Sequence, residues 1–150
     1  MPEKTILVVD DEPNSLFVTS QLLKDQSYEV ITAENGTAAL NKLLEGKINL
    51  VITDERMPGI SGMEVLRQTK KLDARIPVII LTGYGTIPLT INALREGAFH
   101  FFEKPISQNL KQFYSVIEDA LNQQDHESQI REQRKEINGR CGSENIIGKS

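Results

Sequence analysis

The chain has 150 residues, 39% of them hydrophobic and 25% charged, which suits one ordinary globular domain with room for an appendage. With 17 basic residues against 21 acidic ones the formal net charge is −4, and this excludes a diffuse positive field as the means of holding nucleic acid. A single cysteine, Cys141, excludes an internal disulfide framework and any multi-cysteine metal site, and no apolar run approaches the roughly 20 residues that span a bilayer. The apolar run nearest the N-terminus is only ILVV, too short for a secretory signal, so a cytoplasmic location is expected.

The elements alternate along the chain. The run Thr5–Val9 has the length and Val/Ile content of a strand, and Leu16, Thr19, Leu22 and Leu23 then recur at helical spacing behind Asn14, a residue suited to an N-cap. The short run Glu29–Thr32 follows. Ala39, Leu40, Leu43 and Leu44 mark a second helix that Gly46 can stop. The third run, Asn49–Thr53, leads to a helix marked by Met63, Leu66 and more weakly by Thr69 and Lys70, with Ser61 as its N-cap. After Pro77–Leu81 come Ile87, Ile91 and Leu94, with Pro88 in the first turn, where its missing N–H is harmless, and Gly97 as the stop. Phe99–Phe102 is the fifth run.

Runs one, three and four are apolar almost throughout, as strands covered on both faces of a parallel sheet should be. The alternation predicts the α/β class, with a doubly wound five-stranded parallel sheet in the flavodoxin-like order 2-1-3-4-5. Beyond Pro105, Leu110, Phe113, Ile117, Ala120 and Leu121 form an apolar helical stripe. From Asn122 to Ile137 the composition is almost wholly polar, which suits an extended C-terminal helix leaving the domain, and Asn138–Ser143 reads as a linker. The expected division is a domain over 1–122, a helical linker over 123–143, and residues 144–150 as the start of something further.

The chemistry gathers at strand ends. Asp10 and Asp11 directly follow the first strand and Asp54 the third. In a sheet of this order the crevice between strands one and three, at their carboxyl ends, is the ligand site. Three carboxylates there repel one another unless a cation compensates, and an oxygen-only set suits Mg²⁺. Thr82 and Lys104 follow the fourth and fifth strands at the same edge. A hydroxyl and an ammonium beside a carboxylate–metal site are what an arriving phosphoryl group requires, and a carboxylate can accept it as nucleophile.

The set Asp10–Asp11, Asp54, Thr82 and Lys104–Pro105, with Met57–Pro58–Gly59 beginning three residues past Asp54, resembles the receiver domain of bacterial two-component response regulators over roughly residues 3–122. The resemblance implies that Asp54 accepts phosphate from a sensor histidine kinase. It implies that Asp11 and Asp54 hold Mg²⁺ through their side chains, with Asp10 assisting through water and Arg56 through its backbone carbonyl. Thr82 and Lys104 would hold the phosphoryl oxygens. Phe101 matches the family's aromatic switch position, where Tyr is frequent. Arg56 and Tyr84 would flank the phosphoryl group and tune its hydrolysis. The face made by the fourth helix, fifth strand and fifth helix would change its partner preference.

Leu81–Pro88 together with Gly97–Phe99 is similar to the receivers of sigma-54-dependent activators of the nitrogen- and dicarboxylate-regulator group, and Ile146–Ser150 is similar to the opening of their ATPase domain. This implies a homodimer, through the fourth-helix face or the linker helix, that controls an ATPase and transcription. The lack of a spanning apolar run and the acidic balance lead us to expect no membrane contact and no direct nucleic-acid contact by these residues. Gly148–Lys149–Ser150 alone is no phosphate loop, because that motif needs glycine where Ser143 stands.

Two other readings compete, besides a stand-alone receiver without transcriptional output. An aspartate-nucleophile Mg²⁺ phosphatase of the haloacid-dehalogenase type requires D-x-D-x-T/V, and Glu12 and Asn14 fail it. A flavodoxin-like carrier would need a phosphate-binding loop after the first strand, where DDEP repels phosphate. His100 and His126 lack metal-ligand companions.

Overall fold

A computed structural model describes residues 4–83, 87–104 and 106–123. Five short runs rich in β-branched and aromatic residues form strands: β1 (Thr5–Val9), β2 (Glu29–Ala33), β3 (Leu50–Asp54), β4 (Val78–Thr82) and β5 (His100–Glu103). They pair in parallel in the order β2-β1-β3-β4-β5, as the alternation predicts. The central strands β1, β3 and β4 are buried along their whole length, whereas the edge strand β2 is exposed at Glu29 and Thr32 and buried only at Ala33.

The helices α1 (Pro13–Lys24), α2 (Gly36–Leu44), α3 (Gly62–Leu72) and α4 (Ile87–Arg95) return the chain to the start of each next strand. A 3₁₀ turn (Ile106–Asn109) then leads into α5, helical over 110–123. Ile6, Val8, Ile52 and Leu81 pack on one face of the sheet against Leu16 and Leu23 of α1 and Phe113 and Ile117 of α5. Leu7, Val9, Val51 and Ile80 pack on the other against Ala39, Leu43, Val65 and Leu66 of α2 and α3 and Ala93 of α4.

Local signals differ from expectation in two ways. Helix α1 does not begin behind Asn14. Its N-cap is Glu12, whose side chain makes no capping bond, and Pro13 opens the helix because its fixed φ already suits the first turn. Strands β3, β4 and β5 each begin and end one residue later than their apolar runs suggest. Pro77 has no N–H for the ladder, and the Asn49 side chain instead accepts the Thr5 N–H at 2.8 Å. The result matters for the site, since Asp54 and Thr82 are the last residues of β3 and β4 rather than the first of the loops. The helix stops fall where the glycines suggest: Gly46 and Gly97 take φ of +85° and +108° just past α2 and α4. Ser61 caps α3 through the Glu64 N–H at 3.3 Å.

The readings placed on Tyr84, Pro105, the remainder of the linker and residues 144–150 lie outside the described residues. Among the described residues no helix is long and apolar enough to cross a membrane.

Helix α3 abuts the end of β3 without any gap. A Cβ built on Gly62 would run into the Asp54 carbonyl oxygen and lie 2.9 Å from the Glu55 Cα, both backbone atoms. Gly62→Ala is expected to lower stability by about 1–3 kcal/mol in urea denaturation, the range for overpacking a filled site. A change within about 0.5 kcal/mol, as at an indifferent surface position, would show that α3 can back away.

Candidate functional site

The register brings the acidic residues together. Val9 pairs with Thr53, so the chain leaves β1 at Asp10 beside the end of β3 at Asp54. Asp10 is 2% exposed and Asp54 7%, while Asp11 is exposed in the loop. One carboxylate oxygen from each of the three lies within 4.8 Å of the others. The loop after β1 is held by Asp10 itself, whose Oδ1 accepts the Glu12 N–H at 3.0 Å.

Lys104 closes the arrangement from β5. Its Nζ donates to Asp10 Oδ2 at 3.0 Å and lies 3.1 Å from Asp54 Oδ1, so one ammonium bridges two buried carboxylates. The Lys104 backbone N–H donates to the Thr82 carbonyl at 2.8 Å, one rung beyond the pair Thr82–Glu103. That rung fixes the root of the lysine and sets Thr82, 1% exposed, on the neighbouring strand end.

Three carboxylates against one ammonium leave the cluster negative. Burial pushes the Asp54 carboxyl above the ordinary carboxylate range; Lys104 opposes this by charge and hydrogen bond, and the charges of Asp10 and Asp11 add to it. For Lys104, burial works against its charge, but the bond to Asp10 and the charges of Asp10 and Asp54 outweigh it and hold its pKa above the usual lysine value. The uncompensated negative charge and hard oxygen donors fit a divalent cation of the Mg²⁺ type, so this acidic pocket can hold a metal ion.

Asp10, Asp11, Asp54 and Lys104 thus meet in one place, with Thr82 on the adjoining strand end. Arg56 stands exposed in the loop, two residues beyond Asp54. Phe101 lies apart from the cluster, half-buried on the sheet face that carries α2, α3 and α4. His100 stacks on Phe102 with ring centroids 4.6 Å apart, a packing role.

One residue escaped sequence reasoning. Glu55, beside Asp54, is half-buried, and its Oε1 is shielded from solvent with no hydrogen-bond partner. Burial raises its pKa, and the Met63 backbone N–H and the Arg67 charge oppose the rise, while the Asp54 charge adds to it. Only its adjacency to Asp54 could have drawn attention to it.

Comparison with known proteins agrees with this geometry. Residues 6–115 match the model of the response regulator receiver domain. The chain is 39% identical over 118 residues to the transcriptional regulatory protein GlrR of Escherichia coli K12, covering 79% of this chain and 26% of that protein. It is 39% identical over 100 residues to the C4-dicarboxylate transport transcriptional regulatory protein DctD of Pseudomonas aeruginosa, covering 67% of this chain and 22% of that one. It therefore spans about a quarter of the length of these curated relatives. Among solved structures, a response regulator receiver domain from Clostridium thermocellum superposes with a TM-score of 0.74 at 40% identity, covering 81% of this chain and 97% of that one. NtrX from Brucella abortus superposes at 0.79 and 30% identity, covering 87% of this chain and 30% of its own. The chain belongs to the response regulator receiver domain family.

The raised Asp54 pKa gives a signed expectation. In the unfolded chain this carboxyl ionises at the ordinary value, and in the fold at a higher one. The native state therefore keeps the proton longer, and stability from this group is greatest below that window and falls as pH rises through it. Asp54→Asn is expected to raise the melting temperature in chelator at pH 7, with the gain shrinking as the pH drops below the ordinary carboxylate range. A variant less stable than its parent at pH 7 would mean that pairing with Lys104 outweighs burial.

Proposed function

We propose that this chain is a phosphorylation-dependent signalling switch in which Asp54 accepts a phosphoryl group from a sensor histidine kinase with Mg²⁺ as cofactor. The observation that carries the reading is the Lys104 ammonium suspended between Asp10 and Asp54 in an otherwise negative cluster. A structural ion pair needs one carboxylate, whereas this arrangement keeps a cation beside two and a third within reach.

Asp54, Asp11 and the Arg56 carbonyl would hold Mg²⁺ directly, with Asp10 acting through water. Bound there, the ion would supply Lewis-acid neutralisation of the phosphoryl oxygens. An Asp54 carboxylate oxygen forms a bond to phosphorus as the bond from phosphorus to the donor's imidazole nitrogen breaks. The imidazole keeps that electron pair and takes up a proton from solvent once released. Lys104 turns from the Asp54 carboxylate to a phosphoryl oxygen, and the Thr82 hydroxyl donates to another. Positioning and charge do most of the work in such transfers.

A protein-borne donor is supported by the surface beside the site. A groove of about 320 Å³ runs between α1 and the β5–α5 connection, lined by Asn14, Ser15, Val18, Leu81, Lys104 and Ile106. Phe17 and Val18 stand 65% and 49% exposed on the same helix.

The output follows from population shift. Phosphate acts only through contacts that differ between two states. Thr82 drawn toward the phosphoryl group vacates space on the β4–β5 side, and Phe101 turns into it. Phe101 lacks a hydroxyl, so its preference rests on burial. The α4 side chains Ile91 and Leu94, 47% and 49% exposed, support a homodimer through the face of α4, β5 and α5, with the linker helix over 123–143 as the other candidate interface. In the whole protein this dimer would control a sigma-54-activating ATPase that begins near residue 144. The curated relatives, named as transcriptional regulators and about three times as long, support an output of that kind. The receiver itself is regulatory, promoting only its own phosphorylation and dephosphorylation in the cytoplasm.

Incubation with Mg²⁺ and acetyl phosphate should add one phosphate by intact mass, absent in Asp54→Asn and blocked by chelator. Stoichiometric labelling of Asp54→Asn would refute the assignment. Sedimentation separates the two dimer surfaces: residues 1–122 should be less associated than 1–150 if the linker contributes, and equal behaviour removes it from the interface.

A further inference from the structure

We propose that Glu127, about one helical turn beyond the end of α5, docks on a cationic cavity at the sheet edge opposite the aspartates and so roots the linker on the body of the domain. The inference rests on the reading that the linker from residue 123 is helical.

The cavity, of about 340 Å³, lies where the chain enters β4 and β5 and where α5 ends. Lys70 and Arg75 line it, and no acidic residue does so among the described ones. Both cations are held in place. The Lys70 Nζ donates to the Ala74 carbonyl at 3.3 Å and to the Ile76 carbonyl at 2.8 Å, and its stem runs beside Gly97, just past α4. The Arg75 guanidinium forks onto Asp73, Nε to Oδ1 and Nη2 to Oδ2, each at 3.2 Å. Carbonyl oxygens orient an ammonium and leave its charge in place, and Asp73 sets one negative charge against two positive ones. A carboxylate suits such a rim, because charge-assisted hydrogen bonds to Lys and Arg are the strong ones.

Helical spacing selects which carboxylate arrives. Ala120 and Gln123 line the cavity from α5. At about 100° per residue they stand about 60° apart around the helix, and position 127 falls between them, about 6 Å further along the axis than Gln123. Glu127 occupies that position. Asp125, the other acidic residue nearby, falls on the opposite side of the helix. Because the segment is tethered at Gln123, its docking is intramolecular and needs only a weak contact. The same cavity touches Gly97, so the root of the linker shares a seat with the end of α4 and the turn into β4. The direction in which the linker leaves is thereby tied to both.

Arg131 stands four residues on and offers Glu127 a partner within its own helix. A double-mutant cycle in the 150-residue chain separates the two roles. One arm is Glu127→Gln, the other Lys70→Met with Arg75→Gln, and the third combines them, each followed by amide hydrogen exchange over residues 124–128. Either arm alone should speed exchange about threefold, as loss of an exposed ion pair does, and the combination should be no faster than either. Raising the salt concentration should shrink these differences. A pair with Arg131 alone would leave the cation arm without effect on these amides. Additive effects, or a silent cation arm, overturn the inference. Coupling that appears only as protein concentration rises gives the cavity to a second copy and overturns it too. If the cation arm fails to fold, Arg75→Gln by itself carries the same expectation. Exchange over 124–137 in the parent at the rate of an unstructured chain sinks the helical linker and the inference together, whereas protection there with additive effects sinks the inference alone.

Discussion

Everything at this site depends on how like charges are kept close at the end of a buried sheet. Asp10 and Asp54 are almost fully buried, and carboxylates taken out of water need a counter-charge with good geometry. Lys104 provides it for both at 3.0 and 3.1 Å, and its reach is set by the β4–β5 ladder rather than by its flexible stem alone. The compensation is partial. One ammonium pairs with two of the three acidic groups, which leaves the cluster able to take further positive charge. A fully neutralised cluster would be more stable and chemically inert.

The sheet order explains why these residues meet. β1 lies between β2 and β3, so the chain leaves β1 to one side and later returns on the other, and the helices following β1 and β3 cover opposite faces. At that divide the strand ends are left uncovered, and the residues that end β1 and β3 share one crevice. No local interaction draws Asp10 and Asp54 together across more than forty residues. The registers Ile6–Leu50 through Val9–Thr53 do so, and those are fixed by apolar side chains that must face one core or the other.

Much of this was legible in the chain, for a physical reason. Buried parallel strands must be apolar on both faces, so ILVV, LVIT and VIIL announce themselves, and a polar residue at their end is exposed to notice. Asp10 and Asp54 stood out at the ends of such runs, whereas Thr82 and Lys104 gained meaning only jointly with them, each following a strand at the same edge. Boundaries were less legible. Hydrogen bonding decides them, and the sequence does not show that Pro77 cannot open a ladder for β3 to continue, or that Asn49 turns its side chain to the Thr5 amide. Asn14 has the chemistry of a cap but Pro13 opens the helix ahead of it, while the capping bond of α2 comes from Asn35 at 2.8 Å. Glu55 was invisible for a further reason. Its backbone carbonyl receives the amide of residue 62, and the burial of its carboxylate shows only once helix α3 is in place.

The same ladder that holds the site also limits how a change there can spread. Thr82 ends β4 and pairs with Glu103, and the Lys104 amide binds the Thr82 carbonyl, so hydroxyl and ammonium sit on neighbouring strands that cannot shift independently. Movement is left to side chains and to the helix beyond. On β5 the side chains alternate. Phe102 is buried toward α1 and α5, in edge-on contact with Phe113, whereas Phe101 is only half-buried on the side of α4. A fully packed ring cannot leave without opening a cavity, whereas a half-buried one is held by fewer contacts. The asymmetry between these adjacent phenylalanines leaves the looser packing on the side of α4, where Ile91 and Leu94 also stand exposed.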